Sequence, residues 1–111
     1  MTKRLVLTVM GMALAFSATA FGQDAKAEAG KKLFEAQKCT TCHQVAGKGN
    51  KMFPLDGVGS KLSAAEIKAW LVTPDEMTAK LAKKPPIKMK KYVLKDAEVD
   101  ALVAYVLTLK K

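Results

Sequence analysis

The chain has 111 residues and a formal net charge of +9, from 19 Lys and Arg against 10 Asp and Glu. That length holds one domain and leaves a purely side-chain core marginal, while two cysteines and a single histidine are too few for a four-ligand structural zinc site. A basic surface suits nucleic acid, but no aromatic-basic interleaving that would stack bases runs through the sequence, so an acidic protein face is the better-matched partner.

Residues 1–22 read as a secretory signal peptide. Lys3 and Arg4 form a short basic start, Leu5 to Ala20 is almost wholly apolar, and Ala18-Thr19-Ala20 offers a small-x-small cleavage site, with Ala20-Phe21-Gly22 as a second. The apolar run is shorter than the ~20 residues a spanning helix needs. Gly11, Ser17 and Thr19 weaken it further, so no stable membrane insertion is expected after cleavage. Cleavage after Ala20 or Gly22 leaves one domain over residues 23–111, in which 17 basic residues face 10 acidic ones.

A helix is predicted from Asp24 to about Gln37, where Ala25, Ala27, Ala29, Lys31, Lys32, Leu33 and Glu35 are good helix formers. Gly30 and Phe34 share one of its faces, and a glycine inside a helix is tolerated best where another helix must come close. Next comes Cys39-Thr40-Thr41-Cys42-His43. Cys-x-x-Cys-His is the attachment pattern of a c-type haem. Each thiol adds to one vinyl group of the same porphyrin, and the neighbouring imidazole is then held under the ring within bonding distance of the iron. Cys39 and Cys42 are the only cysteines, so this route allows one haem and leaves no disulfide. The rival reading, a dithiol redox pair, belongs beside a βαβ pattern, and the mature region shows no strand-like run.

Ala46 to Gly59 is expected to be loop, punctuated by Gly47, Gly49, Asn50, Pro54, Gly57 and Gly59. Ser63-Ala64-Ala65-Glu66 is a capping box opening a helix through about Val72, with Ile67, Trp70 and Leu71 on its apolar face. Thr73-Pro74-Asp75-Glu76 is a second cap, with proline at the first helical position, and Met77 and Leu81 then share a face. Lys83 to Tyr92 is a basic loop containing Pro85 and Pro86. The last helix is expected from Asp96 to Leu109, where Val99, Leu102, Val103 and Val106 follow the helical apolar period and Lys110 and Lys111 suit its C-terminal end. The sequence contains no internal repeat.

In this order of elements the mature region resembles a small class I, mono-haem c-type cytochrome of bacterial, exported type. The resemblance implies an all-α cytochrome c fold: about four short helices around one covalently bound haem c, the first and last helices crossing. Gly30 and Phe34 match one side of that crossing, and Leu102 and Tyr105 the other. It implies His43 as proximal iron ligand, with Cys39 and Cys42 as the covalent attachment points. It places a distal ligand in the loop before the last helix, where Met89 stands. Of the other mature methionines, Met77 has core spacing on a helix and serves as packing, and Met52 lies in a short loop on the proximal side. A proline carbonyl accepts the proximal histidine's second hydrogen bond in the family, and Pro54 matches, although the usual Pro-x-Leu-x-Gly reads Pro54-Leu55-Asp56-Gly57 here. Trp70 and Tyr92 are pocket candidates, the Trp70 indole as a donor to a haem propionate or as core.

A haem closed by His43 and Met89 implies a soluble, monomeric one-electron carrier in the periplasm rather than an enzyme. Its expected partners are redox proteins with acidic docking faces: a dehydrogenase or quinol-oxidising complex on one side, a terminal reductase or oxidase on the other. Lys38, Lys84, Lys88, Lys90 and Lys91 flank the ligand loops and are the expected docking charges. The alternative is a haem enzyme or gas sensor whose distal ligand is labile or missing.

Overall fold

The computed structural model describes residues 14–111. The basic start of the expected leader, Lys3 and Arg4, and its apolar run up to residue 13 lie outside the described residues.

Among the described residues five helices carry the fold: α1 (Leu14–Ala36), α2 (Val58–Lys61), α3 (Ala64–Val72), α4 (Pro74–Ala79) and α5 (Asp96–Leu107). α1 starts well before Asp24, because nothing from Leu14 to Gln23 breaks a helix: there is no proline, and alanine recurs. Both expected cleavage positions, Ala20 and Gly22, therefore fall inside α1. Among the described residues no helix is long and apolar enough to cross a membrane.

α1 and α5 cross as expected, and the crossing is tight because of Gly30. A Cβ there would overlap the Ala101 carbonyl and come within 2.8 Å of Tyr105 Cβ. One turn on, Phe34 meets Tyr105 edge to face, ring centroids 5.3 Å apart. α5 is the hub of the core: Val99, Leu102, Val103 and Val106 are all buried, Leu102 to 1% exposure, with Ile67 and Leu71 of α3 and Phe34 of α1 against them. α2, unforeseen, begins at the end of the expected loop and docks under the far end of α5. A Cβ on Gly59 would overlap the Leu107 carbonyl, and the Gly59 N–H donates to the Leu109 carbonyl at 2.8 Å.

Among the described residues three short strands form, β1 (His43–Val45), β2 (Lys48–Gly49) and β3 (Phe53–Pro54); they correct the expectation of a mature region without strand-like runs, and β2 and β3 interrupt the loop expected over 46–59. They form a small sheet of order β2-β1-β3, antiparallel on one side and parallel on the other. Two- and three-residue strands are too short to display an alternating pattern, which is why the sequence does not announce them.

The capping box at α3 is present: the Ser63 hydroxyl accepts from the Glu66 N–H at 3.2 Å, and Glu66 Oε1 accepts from the Ser63 N–H at 2.9 Å. Thr73 behaves otherwise than expected. Its hydroxyl donates back to the Ala69 carbonyl at 3.0 Å, closing α3, and makes no cap for α4. α4 ends at Ala79, so Leu81 leaves the face it was to share with Met77 and is 38% exposed.

Candidate haem-attachment site

Lys38, in the left-handed region at φ 58°, turns the chain out of α1 into a 3-10 turn over Cys39–Thr41. The turn is closed by Thr41 N–H to the Lys38 carbonyl at 3.0 Å and Cys42 N–H to the Cys39 carbonyl at 3.2 Å. Residues three apart eclipse one another in 3-10 geometry, so the two cysteines lie on one side of the turn. Cys39 is buried in the core and Cys42 half-buried, both as free thiols.

His43 opens β1. Its Nδ1 lies 2.8 Å from the Phe53 carbonyl oxygen. A carbonyl only accepts, so Nδ1 carries the hydrogen, and the neutral ring keeps its lone pair on Nε2. The register explains the pairing: His43 stands opposite Phe53 and Gln44 opposite Pro54 across the parallel β1–β3 ladder. The acceptor is therefore Phe53 and not Pro54, as the resemblance implied. Pro54 is one residue out of register with the ring and exposed.

The loop between β1 and β3 is stitched back onto the attachment turn. Asn50 does most of this: its N–H donates to the Thr40 carbonyl at 3.0 Å, its Nδ2 to the Thr41 carbonyl at 3.1 Å, and its Oδ1 accepts from the Met52 N–H at 2.8 Å. Asp56 Oδ1 accepts from the Ala46 N–H at 2.9 Å. Sequence reading passed over Asn50 and Asp56 as turn residues. An Asn or Asp among glycines is a signal for such side-chain-to-backbone bonds.

Of the three methionines of the mature region, Met89 is half-buried and packs against the core, Met77 is half-buried on α4, and Met52 is 47% exposed. Trp70 is half-buried on α3. Tyr92 packs against the core, and its backbone N–H donates to the Leu71 carbonyl of α3 at 3.1 Å. Burial pushes the Cys39 thiol up, against the pull of Tyr92 and Lys90. Burial, and then Cys39 beside it, push the Tyr92 phenol up to about 12. Lys38, Lys84, Lys88, Lys90 and Lys91 are exposed, but two are engaged. Lys84 Nζ donates to the Ala79 and Leu81 carbonyls at 2.9 and 2.7 Å, and Lys90 Nζ stands 5.0 Å from the Tyr92 ring centroid.

The donor set fits a covalently held haem. Two free thiols share one side of a turn, and an imidazole has its Nδ1 occupied and its Nε2 lone pair available to a metal. Among the described residues no three His, Cys, Asp or Glu side chains gather into a metal cage, and the short strands form no βαβ unit. Such a turn, beneath a tight crossing of first and last helices, defines a c-type haem protein.

Residues 27–110 match the family Cytochrome c, and the chain belongs to that family. It accordingly carries covalently bound haem c with its iron, in a domain of electron-carrier type. Neither the curated proteins nor the solved structures compared with it gave a match.

Proposed function

We propose that this chain is an exported, soluble one-electron carrier of bacterial class I type, holding one haem c between His43 and Met89. It works in the periplasm between a dehydrogenase or quinol-oxidising complex and a terminal reductase or oxidase. The observation that carries the reading is the His43–Phe53 hydrogen bond. It fixes the tautomer that leaves Nε2 for the iron and strengthens the ring as a donor.

When bound, the haem supplies a centre that takes up and returns one electron. The chain's own residues decide how. Cys39 and Cys42 tie the group to the 3-10 turn. His43 is held from behind by the Phe53 carbonyl. Met89, a soft thioether, favours the reduced state and raises the potential. His43 and Met89 would hold the iron between them, which would leave no place for a substrate and let the same ligands serve both oxidation states. Lys38, Lys88 and Lys91 present positive charge to an acidic partner face.

An optical spectrum of the oxidised protein tests the ligand pair: an iron–thioether charge-transfer band is expected. Its absence, together with rapid CO binding by the reduced form, would point to the enzyme or sensor reading. Mass spectrometry of the secreted product checks for one added haem and an N-terminus after residue 20 or 22.

A further inference from the structure

The chain that runs from β2 to β3 passes close beside the attachment turn. A Cβ on Gly49 would overlap the His43 carbonyl. The next residue, Asn50, bonds in two directions. Its backbone N–H donates to the Thr40 carbonyl at 3.0 Å and its Nδ2 to the Thr41 carbonyl at 3.1 Å, the two carbonyls that lie between Cys39 and Cys42 in the chain. Its Oδ1 accepts from the Met52 N–H at 2.8 Å, an Asx turn that leads the chain into Phe53.

Phe53 is therefore held from both sides. After it, the Leu55 N–H donates to the Gln44 carbonyl at 2.9 Å. Before it, the tie is the Asn50 side chain. Between them stands the Phe53 carbonyl, 2.8 Å from His43 Nδ1. The backbone bond at Leu55 survives a change of side chain, whereas the bonds of the Asn50 amide do not. Asn50, Lys51 and Met52 are exposed, and an exposed loop opens locally without unfolding the domain. The Asn50 amide thus decides how constantly the carbonyl faces the ring.

We propose that Asn50 is a positioning residue for His43: by tying the β2–β3 loop to the attachment turn it keeps the Phe53 carbonyl on Nδ1, and so sets how strongly the imidazole donates to the iron. This inference rests on His43 being the proximal ligand and makes no use of Met89. A ring whose Nδ1–H bond is kept is the stronger donor, which favours the oxidised iron. Loosening the tie weakens that donation and favours the reduced iron. Opening the site to water acts the other way, because water stabilises the extra ferric charge. The sign of the change separates a hold on the ring from plain packing.

The test makes two measurements on the haem-loaded protein: solvent exchange of the His43 Nδ1 hydrogen, by NMR of the reduced form, and the reduced-to-oxidised ratio at equilibrium with a redox dye. Asn50→Ala keeps the backbone bond to Thr40 and loses both side-chain bonds. It is expected to speed the exchange roughly three- to tenfold and to shift the ratio towards the reduced form. Asn50→Ser can still accept from the Met52 N–H but is too short for Thr41, so it should fall between the parent and Asn50→Ala. It carries the test if alanine at this position prevents haem loading. Ser63→Ala, which loses the cap of α3, is the comparison. It should lower thermal stability and leave both readouts within roughly twofold of the parent. Parent-like exchange and ratio in Asn50→Ala, a shift towards the oxidised form, or Ser63→Ala matching Asn50→Ala overturns the role of Asn50 alone. A parent whose reduced form shows no iron-bound histidine overturns the His43 assignment, and the role of Asn50 with it.

Discussion

At His43 one backbone oxygen decides the chemistry, and it belongs to a residue chosen by register rather than by side chain. The bond from Nδ1 to Phe53 is made by a carbonyl that any residue at that position would present. Sequence therefore marks His43 plainly, because an imidazole beside two thiols is a chemical pattern, but it marks the acceptor poorly. A resemblance points at the proline, and the ladder points one residue earlier. The consequence is measurable. Pro54→Ala should leave the haem spectrum and potential unchanged, since the ring's partner is untouched. It should cost only the ~0.4–1 kcal/mol by which a proline restricts the unfolded chain. Thermal unfolding of the haem-loaded variant beside its optical spectrum separates the two effects, and a weakened axial histidine signature would place the proline back in the site. Tyr92 belongs to the same scale: its sequence context is a basic loop, and nothing in that loop shows that its backbone N–H meets the Leu71 carbonyl of α3.

Among the elements, the helices with caps and apolar periods were legible, and the pieces held by single close contacts were not. α3 and α5 follow from a capping box and from Val99, Leu102, Val103 and Val106. α2 is one turn long and exists because Gly59 lets its backbone reach the end of α5; a glycine in a glycine-rich stretch reads as loop. The helix crossing is testable at Gly30. Alanine there gains about 1 kcal/mol of helix propensity, but its methyl meets a backbone carbonyl that cannot rotate away. Overpacking of that kind costs ~1–3 kcal/mol or more, so the net is a loss, expected as a fall in Tm of at least about 4 °C. A Gly30→Ala protein as stable as its parent would mean that α1 and α5 are not held this closely. The cap of α3 gives a pH signature. The Ser63 N–H and then its hydroxyl hold the Glu66 carboxyl below its ordinary value of 4.5. A carboxyl whose folded value is depressed contributes stability that is present above the unfolded value and lost as pH falls through the folded one. Tm measured from pH 6 down to about pH 3 should therefore decline more steeply in the parent than in Glu66→Gln, which keeps a capping side chain without the charge. Parallel curves would remove Glu66 from the acid limb.

For the whole molecule, two quantities visible in the sequence meet: a thin core and a large positive charge. Among the described residues only Leu102 is sealed essentially completely from solvent, and Met89, Tyr92, Tyr105 and Leu94 are half-buried around the cluster. A covalent porphyrin is the apolar mass such a domain needs. The positive charge of the mature region, 17 basic against 10 acidic residues, has no such internal use. Charges spread over a small domain raise encounter rates with an oppositely charged face by roughly 10- to 1,000-fold at low salt. The gain depends on screening, because the Debye length shrinks from ~30 Å at 0.01 M salt to ~3 Å at 1 M. The second-order rate of electron transfer to an acidic redox protein should therefore fall steeply across that range, by about tenfold or more. The lysines will not contribute alike. Lys88 and Lys91 are exposed, and reversing either to glutamate should flatten the salt dependence. Lys84 holds two carbonyls at the end of α4, so Lys84→Gln should loosen that helix end and change the salt slope less than either reversal does. Stopped-flow rates over a salt series for the three variants and the parent decide this. A flat profile for the parent with such a partner would mean that its positive surface serves solubility and not docking.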